Sequence, residues 1–198
     1  LLTIGITGGI ASGKTTASNY LKLKKSSYVF NADEVAKTIL KTNKEIQKEL
    51  INNFGKAILK NKKIDSSRLA NIAFQNKKNQ KLLNDVFWPE INKCLFQDIN
   101  KKKSFLKIFI VDAALIIESG LYTKLDFILL IKNNKKNRLN RIINKNQFSI
   151  EKAKKIMTLQ FSDAKKKEKA DITISNNGNI NDLYDKLESL YNQITLKE

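Results

Sequence analysis

The sequence has no histidine, one cysteine, one proline and three arginines among 198 residues. Each shortage excludes something. Without histidine the commonest side chain for general acid–base work is missing, so a base has to be a carboxylate or, less often, a lysine. A lone Cys94 excludes an internal disulfide and any cysteine-cluster metal site. Its neighbours at helical spacing are apolar, and it reads as a small buried hydrophobe. No apolar run is long enough to span a bilayer and no stretch reads as a secretory leader, so no membrane partner and a cytoplasmic location are expected. Leu1 opens directly into a strand, and an initiating residue is expected ahead of it.

The scarcity of arginine also bears on charge. The formal net charge is +18, which raises nucleic acid as a partner. The excess is almost all lysine, however, and base readout leans on arginine's bidentate fork. Lysine, asparagine and isoleucine are abundant together along the whole chain, with no single basic stripe. A solvated lysine-rich surface that steers small polyanions is expected, with no nucleic-acid partner.

What is present centres on Gly8-Gly9-Ile10-Ala11-Ser12-Gly13-Lys14-Thr15. This run fits the phosphate-binding pattern of Gly, four residues, Gly, Lys and then Ser or Thr. Gly8 and Gly13 permit turns and close backbone approach, so successive N–H groups can converge on phosphate oxygens. Lys14 would reach the β/γ-phosphates as a point charge, and the Thr15 hydroxyl would ligand Mg²⁺. The context agrees: Leu1 to Thr7 reads as a buried strand, and Ala17, Tyr20 and Leu21 give the following helix an apolar stripe.

The rest of the chain follows α/β grammar. Tyr28 to Ala32 reads as a second strand, with Asp33 and Glu34 opening a helix. From there to about residue 103 no strand is expected, and the segment reads as an all-helical insertion in which Pro89 should kink a long helix or start a new one. Ile108 to Val111, Phe127 to Ile131 and Ile172 to Ile174 complete five strands, the longer two being continuous apolar runs of the kind parallel sheets bury on both faces. Residues 135–169 read as helical and charged; Ser149 is placed to cap a helix whose apolar side is Ile150, Ala153, Ile156, Met157, Phe161 and Ala164. Asn176-Asn177-Gly178 is a turn before a closing helix.

Ligands of open parallel sheets bind at the carboxyl ends of the strands, which selects the candidates. Asp33, past strand two, either accepts a proton from an attacking hydroxyl or caps the next helix. Asp112, ending strand three, is placed to hold Mg²⁺ through water. Arg138, Arg141 and Lys145 share one helix face; they close over the transferring phosphate, stack on adenine, or form a solvated basic surface.

These motifs together resemble the dephospho-coenzyme A kinase family. Thr7 to Thr15 is similar to that family's TGGIGSGKS/T, Asn31-Ala32-Asp33 to its DAD, and Asp112 to Tyr122 to its D-x-P-L-L-x-E segment. Gln160, Ala170-Asp171 and Asn176-Asn177-Gly178 resemble its Q…ADxxIxNxG ending. Asn31, Trp88, Ala114 and Lys145 depart from the family pattern of Asp, His, Pro and Arg.

The resemblance implies a three-layer P-loop kinase fold with a five-stranded parallel sheet. The nucleotide core would be residues 1–32, 104–134 and 170–198, the helical substrate-binding insertion 33–103, and the helical lid 135–169. It implies transfer of the γ-phosphoryl of ATP to the ribose 3′-hydroxyl of dephospho-coenzyme A, with Mg²⁺. Asp33 would be the base, Lys14 the phosphate contact, and Arg141 and Lys145 the lid cations. Gly8, Gly9, Ile10, Ala11, Ser12, Gly13, Lys14, Thr15 and Thr16 would hold ATP, with Asn176 and Gly178 beside adenine, and Thr15 and Asp112 would serve the metal. A monomer or weak homo-oligomer is expected.

Overall fold

The computed structural model describes residues 1–144 and 149–195; the chain divides into two units, Leu1–Asn31 with Lys101–Glu198, and Ala32–Asn100. In chain order the elements are β1 (Leu2–Thr7), α1 (Lys14–Lys22), β2 (Ser27–Asn31), α2 (Ala32–Thr42), α3 (Lys44–Phe54), β3 (Leu59–Lys60), β4 (Lys63–Ile64), α4 (Ser66–Ala73), α5 (Lys77–Lys102), β5 (Ile108–Asp112), β6 (Phe127–Lys132), α6 (Lys135–Asn144), α7 (Ile150–Leu159), α8 (Asp163–Lys167), β7 (Ile172–Ser175) and α9 (Ile180–Thr195).

The first unit is built on the expected five-stranded sheet, in the order β2-β5-β1-β6-β7 with every pair parallel. Strand β1 is central, and its apolar residues alternate between two covered faces. Ile4 and Ile6 pack with Ala17 and Leu21 of α1 and with Leu183, Leu187 and Leu190 of α9. Gly5 points the other way, where a Cβ would press on Ile116, Leu125 and Ile128. Strand β5 is buried at every position. The chain leaves β1 toward β2 on one side and later builds β6 and β7 on the other, so the order reverses at the carboxyl end of β1. That is where an open α/β sheet leaves a crevice.

In the second unit, α3 starts at an Asn43 cap and stops at Gly55, whose φ of 72° favours glycine. The segment is not all helical: β3 and β4 form an antiparallel hairpin, with Leu59 opposite Ile64. Two-residue strands carry no readable alternation, and the turn uses Asn61 and Lys62 at positive φ in place of the usual Asn-Gly. No new helix starts at Pro89 either. Helix α5 runs through it, because Val86, Phe87, Ile91 and Leu95 stay buried on both sides of the missing N–H.

Ser149 does cap α7, accepting from Lys152 N at 3.2 Å. The apolar side expected to continue to Ala164 is interrupted, however. Ser162 caps a separate α8, which resets the helical phase, so Ala164 is exposed and Lys166 is buried. No helix among the described residues is long and apolar enough to cross a membrane.

Candidate functional site

The loop between β1 and α1 is shaped by backbone angles that few residues tolerate. Gly13 has φ 106° and Gly8 φ 152°. A Cβ on Gly8 would collide with the Ile131 carbonyl and one on Gly13 with Asn176 Nδ2. Ala11, at φ 58°, carries a side chain in the left-handed region, at a cost of about 1 kcal/mol. Ser12 N closes the turn by donating to Gly9 O at 3.1 Å. Helix α1 then begins at Lys14 with no side-chain cap hydrogen bond at Gly13, so its first amides suit an anion.

Beside this helix terminus lies a cleft of about 360 Å³ lined by Ala11, Gly13, Lys14, Thr15, Thr16, Arg141, Asn176, Ile180 and Leu183. Seven of the expected site residues therefore meet there. Arg141 Nη1 and Nη2 donate to Ser12 O and Asn176 O, each at 3.3 Å, and Asn176 Nδ2 donates to Ser12 O at 2.8 Å. Buried Asn133 braces the same corner by donating to Asn176 O. Lys14 Nζ rests 3.4 Å from Gly9 O.

The other expected residues are placed differently. Gly8, Gly9, Ile10 and Ser12 belong to the loop but do not line the cleft, and the Ser12 hydroxyl is buried with no hydrogen-bond partner among the described residues. Gly178 packs against the Asp182 carboxylate. Asp112 is buried at the end of β5, in register with Ile6 on one side and Asn31 on the other. Asp33 belongs to the second unit, exposed in the first turn of α2; the helix begins one residue earlier at Ala32, so Asp33 is not its N-cap. Lys145 lies outside the described residues.

Arg138 is neither a solvated surface residue nor a cleft residue. Its Nε donates to Ile10 O at 2.8 Å, its guanidinium fills the space where a Gly9 Cβ would stand, and Nη1 is 3.8 Å from Asp163 Oδ1. Burial pushes its pKa down, and Asp163 opposes that.

A second buried charge went unread in the sequence. Lys166 Nζ donates to Ala114 O at 2.6 Å and pairs with the Glu118 carboxylate at 2.8 Å. Thr7 Oγ1 also donates to Ala114 O, which ties this segment to the end of β1. Burial lowers the Lys166 pKa against the upward pull of Glu118. Lys166 sits within the run Lys165-Lys166-Lys167, which in a sequence looks like solvent-facing charge. Of the cleft's apolar wall, Ile180 and Leu183, only Leu183 is legible in the sequence, as part of the closing helix.

Chemically, the cleft offers helix amides and two cations toward an anion, hydroxyls at Thr15 and Thr16, and an apolar wall for a flat group. Comparison with known proteins gives a family to match. The family model described as dephospho-CoA kinase matches residues 2–182. A dephospho-CoA kinase of Fusobacterium nucleatum is 40% identical over 189 residues, covering 95% of this chain and 96% of that protein. A crystal structure from Thermus thermophilus superposes with a TM-score of 0.78 at 26% identity, covering 97% of each chain. A dephospho-CoA kinase structure from Campylobacter jejuni superposes with a TM-score of 0.66 at 29% identity, covering 97% of this chain and 96% of that one.

Proposed function

The chain belongs to the dephospho-CoA kinase family, and from that premise we propose that it transfers the γ-phosphoryl of ATP to the ribose 3′-hydroxyl of dephospho-coenzyme A, giving coenzyme A and ADP. The observation that carries the reading is the convergence of Lys14, Thr15, Thr16, Arg141 and Asn176 on one cleft at the start of α1.

Phosphoryl transfer asks a protein mainly for positioning and charge stabilisation. The loop amides and Lys14 bind and orient the β- and γ-phosphates. Thr15 and Asp112 supply hard oxygen donors, the chemistry that suits Mg²⁺. No group of three or more acidic, cysteine or histidine side chains arranged to hold a metal ion stands among the described residues. In this reading Thr15 and Asp112 would share the ion with substrate phosphates and water. Held by Thr15 and Asp112, Mg²⁺ would supply positive charge to offset the negative charge that develops on the phosphates. Asp33 takes the proton from the attacking hydroxyl, and Arg141 with Lys145 offsets charge on the transferring group. Asn176 and Gly178 flank adenine, with Ile180 and Leu183 as the apolar wall.

In this reading residues 33–103 hold the acceptor and residues 135–169 act as a lid that excludes water. The protein works in the cytoplasm as a monomer or weak homo-oligomer, without a nucleic-acid partner. The test is coupled ADP release with ATP and Mg²⁺ across dephospho-coenzyme A, nucleosides, nucleoside monophosphates and shikimate. Turnover confined to dephospho-coenzyme A, with product phosphorylated at the ribose 3′ position, is the expected result. Preference for another acceptor overturns the assignment while keeping the kinase.

A further inference from the structure

We infer that Arg138 and Gln160 are a pair of positioning residues that hold the phosphate loop in shape by gripping both backbone groups of Ile10. The inference rests on the reading of that loop as the ATP site. Ile10 N donates to Gln160 Oε1 at 3.0 Å, and Ile10 O accepts from Arg138 Nε at 2.8 Å. With the N–H and C=O of Ile10 both taken by side chains, its backbone cannot turn without breaking a half-buried hydrogen bond.

The residue that follows gives the grip a task. Ala11 sits in the left-handed region at φ 58°, a conformation that persists only where the surroundings over-determine it. Ala11 and Gly13 both line the cleft, so a relaxed Ala11 would change the wall that receives the phosphates. Arg138 is itself fixed: its side chain is only 12% exposed, it lies against Gly9, and Asp163 faces its far nitrogen. Gln160 follows α7 and Asp163 opens α8, so separate helices fix the two halves of the grip. Arg138 does not line the cleft and acts through Ile10.

The test uses the full chain and two readouts, equilibrium ATP binding and steady-state turnover. Gln160→Leu removes the acceptor at similar volume, whereas Gln160→Glu keeps an acceptor, a carboxylate oxygen in place of the amide oxygen, for Ile10 N. Gln160→Leu and Arg138→Ala should each weaken ATP binding by about tenfold, the lower end of what an unpaired N–H or C=O costs, as suits a half-buried group. Gln160→Glu should restore most of that loss. KM for dephospho-coenzyme A should stay near wild type while KM for ATP rises. The double variant Arg138→Ala/Gln160→Leu should cost less than the product of the single effects, because both grip one residue.

Multiplicative effects, or a Gln160→Glu as impaired as Gln160→Leu, would overturn the inference; if the double variant does not fold, the Leu and Glu pair decides alone. A wild-type chain that binds no ATP removes the nucleotide reading itself. A wild type that binds ATP beside unaffected variants removes only the grip.

Discussion

Asn176 Nδ2 donates to the Ser12 carbonyl oxygen at 2.8 Å across 164 residues of sequence, and the Asn176 side chain occupies the space that a Cβ on Gly13 would need. The turn after β7 and the loop after β1 are therefore one structure. Asn176 is 4% exposed, and its own carbonyl is held by Asn133 and Arg141. Asn176→Ala leaves Ser12 O with the longer Arg141 contact and opens a gap beside Gly13. The expected loss is about 1–2 kcal/mol of stability, read by urea unfolding, with a raised KM for ATP. An unchanged KM with unchanged stability would detach this turn from the nucleotide site.

Asp33 tests the base assignment more sharply than a helix-cap reading allows. Helix α2 starts at Ala32, so an Asp33→Asn change leaves the helix start in place and removes only a carboxylate from its first turn. ATP affinity should hold while kcat falls by about 10²- to 10⁴-fold, the range associated with a positioned general base. A change in kcat below about threefold would point to a dipole contribution alone.

How far the sequence could be read depends on what each element shows to a one-dimensional pattern. Strands β5 and β6 were legible because burial on both faces writes a continuous apolar run. The loop before α1 was legible because glycine, lysine and threonine occur there at fixed spacing. The β3–β4 hairpin left no trace, since two residues per strand give no period. The three cations at positions 138, 141 and 145 share a helix face in sequence, yet Arg138 turns to Ile10 and Arg141 to Ser12. Spacing could put them on one face; only tertiary contacts distinguish their partners. Lys166 was hidden because burial of a lysine depends on a carboxylate 48 residues away.

For that buried pair the single change should cost more than the double one. Lys166→Met leaves Glu118, with a side chain only 11% exposed, without its cation, and should cost about 3–5 kcal/mol. Lys166→Met combined with Glu118→Gln should recover much of that, because no unpaired charge remains in the interior. The pH dependence carries its own sign. The Lys166 pKa is lowered in the folded state, so between that value and about 10.4 for a free lysine the unfolded chain binds more protons. Stability of the wild type relative to the double variant should therefore rise with pH across that window. Urea unfolding at a series of alkaline pH values gives both numbers, and a falling difference would contradict the burial account.

The α1–α9 contact titrates at the other end of the scale. The Glu188 carboxylate accepts from Tyr20 Oη at 2.5 Å and from Lys24 Nζ, beside the stacked rings of Tyr20 and Tyr184 at 4.6 Å. The Lys24 hydrogen bond first, and the Tyr20 hydrogen bond second, hold the Glu188 pKa below its ordinary value. A depressed carboxylate contributes stability that is complete above the unfolded value of about 4.3 and is lost as pH falls through the folded one. Glu188→Gln cannot ionise, so its acid unfolding curve should lack that component. The stability gap between wild type and Glu188→Gln should be widest near neutral pH and shrink as pH falls below the glutamate range. High salt should narrow the gap as well, since the pair is open to solvent. A gap that stays constant from neutral to acid pH would mean that Glu188 acts on α1 by packing, with its charge irrelevant.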